Sequence, residues 1–514
     1  EHALITIMAT SGTTTTFAIK AITVQRIYYN YPVTHVNGIL FISVMHLLAF
    51  SIAGILKRYL VWPASMIWPK TLMSCCLMRT LNIENQTETT KTRWTMSRSK
   101  FFWLVVLFQF LWYWFPGYIF PLLSMFSFIC MIAPHNIVFS QITGANGLGL
   151  GVLQFDWNAC VSFFDSPILV PFWAHVNLFV GFIIVIWILT PIIYYTNTWD
   201  SKKMPIISNR HFDINGNFYD PVKVLNKDLH LNETAYAIYG GIRMTAGQAI
   251  RHGFMFAAFS AAIMHTILYH VLGVPIDIFS SLVLPGNPIG FLTLRAFTHS
   301  CQYQIIPPRI TFCMLLICPI VAGIVQYITA IYLLNHVPNI CTHENPSWKC
   351  LYVETLYTSS IIWGAIGFVK TFGISSIYSP LLFGLLLGLV LPIISWFLWK
   401  KFPNIKWLAF IHVPIIFVTT NNIPPAPAGE YTTWFLVGFI FNFILYRYAH
   451  AWWEKYAYVF SAAMSCGVAI CGFIIFFMLQ NNNIEFPEWW GTGGPTRDGC
   501  PLEIANYSGY VVTG

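Results

Sequence analysis

The sequence predicts an all-α polytopic integral membrane protein of roughly a dozen transmembrane or re-entrant helices, several broken by Pro or Gly. Three observations predict it. Hydrophobic residues make up 56% of the 514 and charged residues only 9%, against about 45–50% and 25% in ordinary globular chains. The 27 basic and 19 acidic side chains are too few to cover a water-soluble particle of this length, and the same scarcity excludes disorder. Apolar runs of span length recur along the chain, and short basic clusters (Lys57-Arg58, Lys400-Lys401, Arg447 to Lys455) flank them. That distribution follows the positive-inside rule, so the net charge of +8 is no sign of a nucleic-acid partner. The partner it implies is a lipid bilayer.

In chain order, full spans are expected at 37–56, 101–115, 117–133, 176–195, 251–273, 310–334, 377–399, 431–446 and 458–479. Each is an uninterrupted apolar run near the length a bilayer requires. The stretches 61–81, 276–297, 357–373 and 407–420 are apolar but short, or interrupted by Pro, Gly or a charge. The chain opens at Glu1-His2, without Met and already in an apolar, Thr-rich stretch, which suggests a piece of a longer protein. All of 1–514 is expected to form one membrane domain, with 196–250 as a long, locally folded aqueous loop. That loop carries turn chemistry at Asp213-Ile-Asn-Gly216 and too few periodic apolar positions for a core of its own.

Most of the twelve cysteines, Cys130 among them, lie in apolar runs, where the residue acts as a small hydrophobe. Cys341 and Cys350 instead bracket the polar segment CTHENPSWKC. A bridged pair on an extracytoplasmic loop, 335–356, is one reading; two reduced loop thiols is the other. If 335–356 is outside and the Lys400-Lys401-Lys406 cluster inside, then 357–373 and 377–399 cannot both be full spans. The first contains Gly364, Gly367, Lys370 and Gly373 and is expected to be a half-helix or re-entrant segment.

Pro and Gly interrupt apolar sequence at Pro285-Gly-Asn287-Pro288-Ile-Gly290, Ile306-Pro307-Pro308-Arg309 and Ile423-Pro-Pro-Ala-Pro427-Ala-Gly-Glu430. Such breaks free carbonyls to meet an ion or a peptide, or else form tight interhelical turns. Ionisable residues in or beside spans are His46, Asp156, Asp165, His175, Arg251, His252, His265, Arg309 and Glu430. A charge at the centre of a membrane helix costs about 2.5–3.5 kcal/mol on insertion scales, so such groups line a pathway or pair. Histidine can carry a proton near neutrality, or simply pack as a hydrogen-bonded neutral ring. Glu430, ahead of an apolar helix, is either a proton carrier or a helix cap. The substrate or proton pathway is therefore sought among Asp156, His175, His265, Asn287, Pro288, Pro307, Pro308, Arg309 and Glu430.

Gly384-Leu-Leu-Leu-Gly388 is a close-packing signal without chemistry. Gly144, Gly147, Gly149 and Gly151 lack the Lys-Ser/Thr of a phosphate-binding loop, and no nucleotide cassette is present in the sequence. No catalytic constellation, metal-ligand spacing or cofactor motif is found, so an enzyme is the weaker class.

Several ordered strings together resemble the oligopeptide transporter (OPT) family, in particular its fungal peptide branch. They include Glu1-His2-Ala-Leu-Ile-Thr-Ile, Val61-Trp-Pro-Ala-Ser-Met-Ile-Trp68-Pro69, Trp112-Tyr-Trp-Phe-Pro-Gly-Tyr118, Phe155-Asp-Trp157 and Leu284-Pro-Gly-Asn-Pro-Ile-Gly290. Ile306-Pro-Pro-Arg309, Ile362-Trp-Gly-Ala-Ile-Gly367 and Ile423-Pro-Pro-Ala426 continue the set over nearly the whole chain. The resemblance implies a proton-coupled symporter in the plasma membrane that imports short peptides, glutathione-like thiol peptides or, in a sister branch, metal chelates. The family's Lys before Ile-Pro-Pro-Arg is Ile305 here. A long stretch expected between the His265–Tyr269 string and Leu284-Pro-Gly is shortened, which raises the alternative of a non-transporting remnant.

Overall fold

The computed structural model describes residues 16–60, 96–133, 136–226, 230–271, 308–341, 350–424, 426–482 and 486–492, with single positions at 73, 76, 77, 80 and 484. The principal helices are α1 (Thr16–Ile27), α2 (His35–Leu60), α3 (Arg98–Trp114), α4 (Phe172–Phe182), α5 (Ala246–Thr266), α6 (Pro308–His336), α7 (Leu351–Ser360), α8 (Phe383–Lys401), α9 (Val413–Val418), α10 (Glu430–Phe439) and α11 (His450–Met478). Among the described residues there is no strand longer than an isolated bridge. Among the described residues five stretches are long and apolar enough to cross a membrane: Arg98–Ile119, Phe172–Tyr195, Ala246–Tyr269, Ser379–Lys401 and His450–Asn482.

Polar caps set where these helices begin. Ser97 accepts from the Lys100 amide at the head of α3, and Thr245 accepts from the Gln248 amide at the head of α5. Several helices run on into a π-helical turn: α3 into 115–119, α4 into 183–189, α7 into 361–366 and α10 into 440–445. The span expected at 117–133 does not form. Pro116 and Gly117 stand in the π-helical turn Phe115–Ile119 that ends the α3 span, and Pro121 opens a tight 3-10 turn, Pro121–Met125, after which Phe126 bridges to Leu153. Proline removes the amide donors that a continuing helix needs, and composition alone cannot register that. The stretch 407–420 is likewise short, a tight turn followed by α9.

Two compact units make up the chain. One holds 1–75, 219–241 and 272–373; the other holds 76–218, 242–271 and 374–514. In the first, α1, α2 and α6 share a core of Ala18, Ile22, Ile42 and Tyr327. Tyr28 stacks on Tyr357 at 4.3 Å, and the Tyr29 and Ser360 hydroxyls lie 2.8 Å apart, joining α1 to α7. The helix from Leu351 to Ile366 breaks at Gly367, whose φ of +87° favours glycine. Sixteen helical residues rise only about 24 Å, short of the roughly 30 Å bilayer core. The expected interruption of 357–373 is therefore present as a break. Lys370, just past it, pairs with Glu233 of the 219–241 segment.

In the second unit α3 packs along α11, and α5 packs along α8 and α9. Gly384 and Gly388 lie against α5: a Cβ on Gly388 would sit 2.1 Å from the Ala257 carbonyl, and one on Gly384 would sit 2.2 Å from that of Gly253. The opposite face of α8 is apolar and exposed at Phe383, Leu386, Val390 and Phe397. Such a surface is stable against lipid rather than water. Residues 196–218 are not the coreless loop that periodicity suggests. Met204, Ile206 and Phe212 are buried, and Phe212 bridges to Arg243 just ahead of α5. The segment 219–241 folds as short turns and the helix Glu233–Tyr239.

Candidate functional site

The second unit carries a cluster of buried polar groups where the loop 144–156 meets the head of α10. Thr432 donates to the Val152 carbonyl at 2.7 Å, and Thr433 Oγ1 accepts from the Gln154 amide at 2.9 Å. These two bonds set Gln154 and Asp156 beside α10. The Asp156 side chain caps the short helix Trp157–Val161, accepting from the Asn158 amide at 2.8 Å through Oδ1. Its Oδ2 accepts from the Ser124 hydroxyl at 3.0 Å.

Glu430 opens α10 and is 2% exposed. It is not the cap; that position is Gly429, which has no side chain to offer. Glu430 Oε2 is buried without a hydrogen-bond partner. Asp156 lies near enough for the two charges to interact, and Gln154 stands beside the Glu430 carboxyl. Among the described residues neither carboxylate forms an ion pair.

Beside this cluster is a cavity of about 240 Å³ whose lining includes Gln109, Trp112, Gln154, Asp156, Trp157 and Thr433. The amide oxygen and nitrogen of both Gln109 and Gln154 lack hydrogen-bond partners, with the side chains 0% and 6% exposed. Leaving a buried polar group unpaired costs about 1–3 kcal/mol, a price that a packing role does not explain.

His175 lies on α4, fully buried, with Nε2 2.7 Å from the Pro167 carbonyl. Nε2 therefore carries the proton. Its ring stacks on Trp434 at 4.2 Å and fits only because position 438 is glycine, where a Cβ would fall 2.4 Å from Cε1. His265 is placed differently, 4.1 Å from both the Tyr269 and His412 rings on α5 and the turn before α9. The break ahead of α10 is a turn: Arg251 Nη1 donates to the Pro424 carbonyl at 3.0 Å, and the Ala426 amide donates to the Asn422 carbonyl. The peptide bond Ile423–Pro424 is cis.

The structure thus brings Asp156 and Glu430 together, sets His175 against the same helix, and puts His265 in a separate aromatic cluster. Asn287, Pro288 and Pro307 lie outside the described residues. Pro308 and Arg309 open α6, with their side chains, like that of His46, outside the description. Cys341 and Cys350 are bonded to one another, Cα–Cα 4.8 Å. Cys130, expected to be a plain apolar filler, is also disulfide-bonded. An isolated cysteine in an apolar run gives no hint of a partner supplied by tertiary packing. The sequence reading missed Gln109, Gln154, Ser124 and Thr433. A signal existed for Gln109, the one amide in the apolar run Phe101–Trp114.

A polytopic helical chain with lipid-type outer faces and unpaired polar groups beside an open cavity has the character of a membrane transporter. Residues 1–275 and 300–479 match the family described as OPT oligopeptide transporter protein, and the chain belongs to that family. It is 32% identical to glutathione transporter 1 of Schizosaccharomyces pombe over 601 aligned positions, covering 96% of this chain and 70% of that protein. Oligopeptide transporter 1 of Arabidopsis thaliana is 30% identical over 616 positions, with 98% and 81% covered. The sexual differentiation process protein isp4 of S. pombe is 30% identical over 594, with 96% and 76% covered. All three alignments run longer than the 514 residues of this chain, so the relatives carry internal stretches that it lacks. No solved structure matches.

Proposed function

We propose that this protein is a proton-coupled secondary transporter that imports short oligopeptides across the plasma membrane. The observation that carries the reading is the pair of neighbouring buried carboxyls, Asp156 and Glu430, beside a cavity with unpaired amides. Two like charges in a low-dielectric site repel, and a proton taken up by either relieves the repulsion. Protonation of Glu430 Oε2 breaks no existing hydrogen bond, because that oxygen has none. Asp156 is already committed to the Ser124 hydroxyl and the Asn158 amide. Glu430 is therefore the carrier and Asp156 the fixed charge that biases it.

Arg309, after the Pro307-Pro308 break, supplies a guanidinium whose planar fork suits a peptide carboxylate. Asn287 and Pro288, in a second Pro-Gly interruption of the sequence, are kept as candidates for the substrate pathway on the sequence alone. His175 serves as a packing ring, with Nε2 engaged by Pro167.

The test is uptake of radiolabelled trialanine by vesicles carrying the full chain. Accumulation against a gradient is expected when the outside is acid, and its collapse when an ionophore dissipates the proton gradient. Accumulation indifferent to the ionophore would sink proton coupling; no uptake under any gradient would favour the remnant reading. Similarity to a glutathione transporter supports a second reading, in which the peptide is of the glutathione type. Under that reading, glutathione competes with trialanine more strongly than other tripeptides do.

A further inference from the structure

We infer that the cavity between α3, the 154–157 segment and α10 is a subsite that recognises an uncharged peptide bond of the substrate through the side-chain amides of Gln109 and Gln154. This rests on peptide transport as proposed above and adds which chemical group of the peptide is read, and by which residues. The argument is one of elimination among the polar groups that line the cavity. The Trp112 indole donates to the Phe155 carbonyl at 2.9 Å, and the Trp157 indole to the Ser465 hydroxyl at 3.1 Å. Both oxygens of Asp156 accept bonds from within the protein, and Thr433 Oγ1 accepts from the Gln154 backbone amide. What remains without a hydrogen bond is the side-chain amide of Gln109 and that of Gln154, the latter standing beside the Glu430 carboxyl.

A neutral primary amide offers one acceptor and a donor pair. A secondary amide, one donor and one acceptor in a plane, is its complement. A terminal carboxylate is not, because a buried charge needs an opposite partner and the charged groups beside the cavity, Asp156 and Glu430, are both acids. The indoles of Trp112 and Trp157 supply apolar walls on which the peptide plane or an apolar side chain can lie. At about 240 Å³ the cavity falls below the roughly 300–1,000 Å³ of pockets that take whole drug-sized ligands. It holds one peptide unit and its neighbours, so it is part of a longer site. Such recognition tolerates many side chains, since every peptide carries the same backbone.

The test is equilibrium binding of radiolabelled trialanine to the full chain in lipid nanodiscs, for the native protein and for Gln109→Met and Gln154→Met. A second ligand has the first peptide bond replaced by an ester, which removes the N–H. Each variant is expected to bind trialanine about tenfold more weakly, the scale of one lost hydrogen bond. The native protein should discriminate against the ester by a similar factor, and the variants should lose that discrimination. Thermal stability should be unchanged or higher for Gln109→Met, whose amide bonds nothing within the fold, and close to native for Gln154→Met, whose amide stands beside the Glu430 carboxyl. Binding equal to native in both variants overturns the subsite. So does weaker binding accompanied by a lower melting temperature with ester discrimination intact, which would mark a structural role. Native binding without accumulation in vesicles defeats the import reading but leaves the subsite supported; no binding by the native chain overturns both.

Discussion

Glu430 and Asp156 are both buried acids near the head of α10, yet their surroundings assign them different work. Asp156 is held by the neighbouring Asn158 amide and by the Ser124 hydroxyl from another turn, so its charge is structural as well as electrostatic. Glu430 Oε2 accepts no hydrogen bond, so protonating it breaks none. Glu430→Gln reproduces the neutral, hydrogen-bonding form of the side chain. In this variant, exchange of labelled for unlabelled peptide across vesicles should persist, while accumulation driven by an acid exterior should fall at least about tenfold, the loss of a step that the proton gradient drives. Counter-flow and net uptake measured on one preparation separate the two. Accumulation with its native pH dependence would show that Glu430 carries no proton. The acid was legible in the sequence because a carboxyl ahead of an apolar helix is costly. Its role was not: whether Glu430 caps or is buried turns on Gly429 and the 144–156 loop, which approach only in three dimensions.

At the level of elements, two devices recur: helices that close through small residues and helices that stop at Pro or Gly. The α5–α8 pair depends on the first. Without a hydrophobic driving force between helices in lipid, contact rests on backbones that approach closely. Gly388→Val forces its side chain against the Ala257 carbonyl and the Ser260 hydroxyl, each 2.1 Å from the added Cβ. A loss of about 1–3 kcal/mol is expected, the usual cost of overpacking. Gly364→Ala, where an added Cβ meets nothing within 4 Å, should be neutral. Unfolding in a graded denaturing detergent reads both; equal stability of the two variants would contradict this account of the interface. The second device explains the missing span at 117–133. Its apolar residues satisfy any hydropathy window, but Pro116 and Pro121 turn the backbone into the two short turns that carry Ser124 to Asp156.

For the molecule as a whole, sidedness is tied to the bonded pair Cys341–Cys350. A bridge closing so short a loop persists in an oxidising compartment, so Cys341 and Cys350 are expected on an extracytoplasmic face. In sealed cells an impermeant maleimide should label these two thiols only after reduction. Labelling without prior reduction would mean no bridge, and labelling only in permeabilised cells would reverse the orientation.

Class, span-length helices, Pro and Gly breaks, the packing glycines and the family could all be derived from the order of residues. Each is a local property: apolar run length is matched to a bilayer, proline lacks a donor wherever it stands, and the strings that resemble the family are contiguous. The site is not local. Gln109 and Gln154 are distant in sequence and unremarkable in composition, and Asp156 and Glu430 are separated by most of the chain. Only the fold shows that the Trp112 and Trp157 indoles and both Asp156 oxygens are already engaged while the two glutamine amides are not. Which polar groups have partners is a count taken over space, and tertiary structure alone decides it.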